Sequence, residues 1–283
     1  MKNAIKHELK KMLASRNWKI SLLLGAIIVI AHFVSVAQYV DWAYYTDLPQ
    51  AHHPTGLDSI SLLVLFLPGD SWFITATLFY FVLPILAAFP FSSSLHKERK
   101  SGYQLQVIAR TGKKRYMAAK LLACALSGFM TIFALLLLDV MLCACIAPLV
   151  PVHVLSLISA VGQGYFASPL FFSHPLLYIA VCILMSSLWG AVCAVVALAA
   201  EMLVSNSFLI TVFPFLLFLA LTAAFEFLDG SVFKAFYEIR PLSLMQAAYG
   251  EPNPSWDIAL WQCGYALAAV MLYYWKGMKR ENL

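Results

Sequence analysis

The chain has 283 residues, 62% of them hydrophobic and 12% charged, with a formal net charge of +5. Soluble domains are nearer half apolar and a quarter charged, so this composition excludes an ordinary water-facing domain: the surplus apolar sequence must face lipid. The six cysteines, Cys124, Cys143, Cys145, Cys182, Cys193 and Cys263, all lie in apolar stretches, which argues against a disulfide framework. Cys143 and Cys145 have CxC spacing without the second pair or the His that a zinc site would use, and read as small buried hydrophobes.

The first 18 residues read as an amphipathic helix. Ile5, Leu9, Met12 and Leu13 recur on one face of a 3.6-residue period, with Lys6, Lys10, Lys11 and Arg16 on the flanks and Trp18 at the headgroup level. Such a helix lies along a membrane surface, and the alternative is a polybasic tail that only anchors. Six stretches then meet the length of a spanning helix: about 20–40, 72–95, 121–147, 176–200, 208–225 and 256–275. The first is too long for a signal peptide and lacks a small-residue cleavage site, so it is expected to be a retained span.

The basic residues fall in three places: the N-terminus, the segment 96–120 and the C-terminus hold 17 of the 19 Lys and Arg. By the positive-inside rule these three are cytoplasmic, and six spans with both termini inside are self-consistent. The expected fold is therefore one all-α membrane domain, 1–283, with six transmembrane helices. The outer connections carry Asp41, Asp47, Asp58, Asp70, Asp229, Glu238 and Glu251. Two contain short apolar pieces, 59–69 and 236–250. The first is expected to be an interfacial or re-entrant helix or simply the outer extension of the second span, and the other invites the same choice.

The segment "HKERKSGYQLQVIARTGKKRYMAAK", His96 to Lys120, is the densest basic cluster, with eight Lys or Arg in 25 residues. Glu98 to Ala109 can form a short helix on which Tyr103 pairs with Val107 and Leu105 with Ile108. Arg110-Thr111-Gly112 reads as a turn, with Thr111 capping the helix that starts at Lys113. Such a loop serves to hold itself against anionic lipid, to bind nucleic acid, or to couple to a soluble subunit. No recognised nucleic-acid module accompanies the charge, so nucleic acid is not expected.

The chain shows no engine of its own. Gly112-Lys113 has Val107 where a phosphate-binding GxxxxGK[ST] loop needs Gly, and Lys114 where it needs Ser or Thr. HExxH and GxSxG are missing. His32 and His174 have no His at matching depth to hold haem. Asp139 lies about 27 Å along a helix from Leu121, and Glu226 at a comparable depth from Phe208. Both are expected to reach outer water or to form polar points around an outward exit. Pro84, Pro90 and Pro214 interrupt the second and fifth spans as kinks.

A basic amphipathic N-terminal helix, six spans and a first inner loop carrying Glu98, Gly102, Thr111-Gly112, Tyr116 and Lys120 resemble the type-2 permeases of bacterial ATP-binding-cassette exporters. A weaker likeness is "PLSLMQ", 241–246, before the last span. The resemblance implies a coupling hairpin at 96–120 seated on a separate ATPase, with Glu98, Gly102, Tyr103, Val107, Arg110, Gly112 and Tyr116 engaging or shaping it. The N-terminal helix would be its connecting helix, and the turn 201–207, with Glu201, a second smaller contact. It further implies a dimer with a second permease copy or homologue in the bacterial cell membrane. No cofactor is expected in this chain, with ATP and Mg bound by the partner ATPase. Cargo is open: an amphipathic peptide, a lipid or a drug. The competing classes are a membrane enzyme or electron-transfer subunit, and an immunity protein that sequesters a peptide without transport.

Overall fold

The computed structural model describes residues 8, 10–12, 14–42, 61–70, 72–90, 94–150, 167–229, 245 and 257–279. Every regular element among them is a helix: α1 Arg16–Trp42, α2 Leu62–Leu65, α3 Ile74–Ala88, α4 Ser94–Lys100, α5 Tyr103–Thr111, α6 Lys113–Cys143, α7 Ser168–Ser173, α8 Pro175–Ala200, α9 Ser207–Asp229 and α10 Asp257–Lys279. Four of them are long and apolar enough to cross a membrane, over Arg16–Asp41, Lys113–Cys143, Pro175–Ala200 and Ser207–Ala224.

The remaining two expected spans take a different form. The predicted span 72–95 is only 15 residues as α3, about 22 Å of helix against a hydrocarbon core of about 30 Å. It carries Pro84 within it and ends at Ala88, two residues before Pro90, which has no N–H for the Leu86 carbonyl; Ser21 Oγ donates to that carbonyl instead. Helix α10 is 23 residues long but is interrupted by Gln262, Gly264 and several Trp and Tyr, and it is not among the four.

Surface composition supports the membrane reading. Leu23, Leu24, Ile27 and Ile30 on α1, Leu176 and Leu177 on α8, Phe208 on α9 and Leu260 and Met271 on α10 are all exposed. Apolar surface on that scale is not tolerated in water and marks lipid-facing helix.

Helix α8 is the hub, packing on α3, α6, α7, α9 and α10. Its contact with α6 is the most extensive in the bundle, because glycine faces glycine there. A Cβ on Gly190 would lie 2.8 Å from the Gly128 carbonyl oxygen, and one on Gly128 would collide with the Gly190 carbonyl. Small residues let membrane helices approach to backbone contact, which dispersion then rewards along their whole length. Ser127 and Thr131 flank this crossing and satisfy their hydroxyls on the carbonyls of Cys124 and Ser127 in their own helix.

Of the apolar piece predicted at 59–69, the described residues 61–69 form a short helix and turn separate from α3, so they do not extend the second span. Leu62–Leu65 is a short helix whose four residues are all buried. The Ser61 hydroxyl donates to the Val150 carbonyl at 2.6 Å, and Leu62 N donates to the Pro148 carbonyl at 3.0 Å. Irregular backbone at membrane depth needs such internal partners. The predicted piece 236–250 lies outside the described residues apart from Met245, which is buried.

Candidate functional site

The basic segment folds as two short helices leading into α6. Gly102 (φ 71°) lies between α4 and α5, and Gly112 (φ 81°) lies between α5 and α6. Nothing crowds a Cβ at either position, so the requirement for glycine is the positive φ alone. This corrects the expectation of one helix over Glu98–Ala109, which Gly102 breaks. Thr111 does not cap α6 either. It is the last residue of α5, and its hydroxyl donates to the Val107 carbonyl at 2.8 Å.

A buried ion cluster fixes these helices to the bundle. Glu98 is 4% exposed and Lys120 is fully buried. One oxygen of Glu98 accepts from Lys120 Nζ at 2.7 Å and from Lys11 Nζ, and the other accepts from Tyr116 OH at 2.6 Å. Lys120 also donates to Glu8 at 3.1 Å. Burial alone would raise the Glu98 pKa, but Lys120, Lys11 and Tyr116 outweigh it and hold the carboxyl below its ordinary range. Lys11 moves the other way: burial opposes its charge, and Glu98 overcomes that and raises it. Both oxygens of Glu98 are filled, which is the condition for a buried ionic group to hold a geometry.

Three chain segments meet at this cluster. Residues 8 and 10–12 are helical, and Met12 packs among Tyr116, Met117, Leu198, Met202 and Tyr273. The N-terminal segment thus docks on the hairpin through Glu8, Lys11 and Met12. Ile5, Leu9 and Leu13, the remainder of its predicted apolar face, lie outside the described residues.

Glu201 follows the last residue of α8 and is 2% exposed. Neither of its oxygens has a hydrogen-bond partner among the described residues. Burial pushes its pKa up to about 9, partly offset by Lys120 and Arg99. Glu201 is thus not a solvated loop carboxylate: the side chain is buried under the hairpin. Its ordinary value is 4.5, so between about pH 4.5 and 9 the folded chain holds a proton that the unfolded chain has released. Stability therefore falls as pH rises through that window. Glu201→Gln is expected to flatten this fall and to gain on the order of 2 kcal/mol by pH 8. Thermal unfolding of both proteins in detergent at several pH values checks it.

The predicted coupling residues thus divide by role. Glu98 and Tyr116 are buried in the cluster that fixes the hairpin, Glu201 is buried beside it, and Gly102 and Gly112 set its bends. Tyr103 and Arg110 are exposed on α5, with Leu105 beside them at 61% exposure, and Val107 is half-buried against the bundle.

At the far end of the bundle, Asp139 does not reach outer water. It is fully buried, 2.7 Å from His32 Nδ1 through one oxygen and accepting from Leu67 N at 2.7 Å through the other. An outward-exit role for Asp139 has no exposed carboxylate to rest on. Glu226 falls within α9, and its side chain lies outside the described residues. Sequence reasoning paired His32 with neither Asp139 nor Asp70, the two carboxylates that flank its ring. The signal was available: a His and an Asp, each alone in an apolar span, seek one another.

Compared with protein-family models, with curated proteins and with solved structures, the chain matches none.

Proposed function

We propose that this chain is the membrane-spanning subunit of an ATP-binding-cassette exporter, forming half of a translocation path and driven by a separate soluble ATPase. One observation supports this most: α5, a short helix with an exposed apolar and basic face, is held between α4 and the start of the longest helix, α6, and buried ion pairs tie α4 to α6. A loop that only contacted lipid would need charge but no such clamp. The face comprises Tyr103, Leu105 and Arg110, with Lys100, Lys114 and Arg115 exposed around it. It suits an apolar groove with an acidic rim on a cytosolic protein.

The mechanism follows from the connectivity. Closure of two ATPase subunits on ATP and Mg moves α5. Helix α5 passes that movement to α6 through the chain at Gly112 and through Val107 and Ile108. Glu98 with Lys120 and Tyr116 keeps α4 and α6 together as it moves, and Lys11 carries it to the N-terminal segment. Helix α6 has 31 residues, about 46 Å, so a tilt at its basic end displaces its far end. The glycine contact with α8 carries the displacement into the rest of the bundle. A second permease, identical or homologous, supplies the other wall of the path, and the basic end faces the cytoplasm.

Leu105→Asp tests the docking face without touching the clamp. Burying this leucine in a partner contributes about 2 kcal/mol, so placing a charge there weakens association by roughly thirtyfold or more. Wild-type protein extracted from native membranes in mild detergent should bring ATP hydrolysis with it. Leu105→Asp should lose that activity while keeping the wild-type unfolding midpoint. Full retention of co-purified hydrolysis in the variant, or none with the wild type, refutes the docking role.

A further inference from the structure

The bundle end opposite the basic hairpin holds a second buried polar group, which the function proposed above does not use. We propose that His32 of α1 with Asp139 and Cys143 of α6 form a site for a divalent transition-metal ion of the zinc class, with Asp70 orienting the histidine. All three ligand side chains are fully buried, and one donor atom from each lies within 4.8 Å of the others.

The donor set is imidazole nitrogen, carboxylate oxygen and sulfur, the combination that borderline-soft divalent ions take and that Mg and Ca do not. Asp139 and Cys143 are four residues apart, so α6 presents them on one face. His32 Nδ1 is 2.7 Å from Asp139 Oδ1, and Cys143 Sγ is 3.9 Å from the same oxygen. A tetrahedral ion with bonds of about 2.0–2.3 Å separates its donors by roughly 3.3–3.6 Å. Those values fall between the two observed distances, so shifts of about half an ångström seat the ion.

The surroundings complete the geometry. Leu67 N occupies Asp139 Oδ2, which leaves Oδ1 for the ion. His32 Nε2 points to Asp70 Oδ2 at 3.4 Å without completing a hydrogen bond, and Asp70 is itself held by Trp72 N at 2.8 Å. A carboxylate behind the distal nitrogen keeps that nitrogen protonated and turns the other toward a metal. The Leu65 carbonyl, 3.7 Å from Cys143 Sγ, offers a fourth donor. A small cavity beside Asp70, walled by Tyr39, Trp72 and Phe73, has a volume of about 10 Å³, room for one water on the approach.

Binding is a proton exchange without redox change. The ion replaces the proton between Nδ1 and Asp139 and the thiol proton of Cys143, releasing both to solvent, so thiolate and carboxylate balance its two charges. The ion then ties the buried segment around Leu62–Leu67 to α1 and α6, which makes it a fastener of this end of the bundle.

The test uses the full chain in detergent, stripped with a chelator and titrated with Co²⁺ and then Zn²⁺. The expected result is one Co²⁺ per chain, with a thiolate-to-cobalt charge-transfer band that Zn²⁺ abolishes by displacement. The band should vanish in Cys143→Ser and persist in Cys145→Ser. Asp70→Asn should keep the band with affinity lowered about 10–100-fold. No saturable binding by the wild type, or a spectrum that Cys143→Ser leaves unchanged, overturns the site and leaves His32 and Asp139 as a hydrogen-bonded strut. Neither result bears on ATPase association, so the site and the exporter reading fail separately.

Discussion

Lys120→Met is expected to destabilise the folded chain by about 3–5 kcal/mol, the range for breaking a buried ion pair by removing one partner. Lys120 is fully buried and donates to both Glu8 and Glu98. Without it, Glu98 retains Lys11, which is itself 42% exposed, and Glu8 loses the partner that holds it down. The methylene stem of Met fills most of the vacated volume, so the loss is electrostatic and not a cavity. Glu98→Gln in the same background should recover part of the stability, because it removes one stranded carboxylate. The two single variants and the double variant, unfolded thermally or chemically in detergent, form a cycle whose coupling should be strongly favourable. Additive effects would show that the cluster does not act as a unit.

The cluster also sets a pH response at the acid side. Glu98 is held below its ordinary range of 4.5, so its contribution is present above that value and is lost as pH falls through the folded value. Lys120→Met should blunt this acid loss, since the lysine is the largest source of the lowering after burial is overcome.

Gly128→Leu should have the second large effect, at least about 3 kcal/mol, with loss of the native helix spacing. The first atom added at Gly128 meets backbone, the Gly190 carbonyl, which no rotamer change can move aside. Gly25→Ala provides the contrast. Its Cβ meets only the Leu135 side chain, so Leu135→Ala should relieve much of the damage there. No side-chain truncation on α8 should rescue Gly128→Leu. Proteolysis of reconstituted protein separates the cases: cleavage within α6 or α8 should rise for Gly128→Leu and stay low for Gly25→Ala/Leu135→Ala.

The membrane class was legible from composition, and the long apolar runs that became α1, α6, α8 and α9 were legible from length. These features depend on single segments, where periodicity and hydropathy carry the information. The expected second span covers Trp72 to Leu95, while its helix runs only over Ile74–Ala88, because Pro90 brings no N–H for the Leu86 carbonyl. The motif at 96–120 drew attention to Glu98, Gly102, Gly112 and Tyr116, but the division of the segment into buried clamp and exposed face was not legible. That division depends on Lys11 and Lys120 arriving from segments 87 and 22 residues away. The His32–Asp139 pair, 107 residues apart, was suggested by residue type alone: helix depth can be counted along a sequence, but helix neighbours cannot.

A thiol-anchored photo-crosslinker on Leu105→Cys, in a background with the exposed Cys145 and Cys263 replaced by Ser, tests whether the basic hairpin seats a nucleotide-driven partner. In native inside-out vesicles it should yield an adduct with a soluble polypeptide that azido-ATP also labels. Adducts with phospholipid alone, or labelling of Leu105→Cys by an impermeant thiol reagent applied to intact cells, would contradict the account.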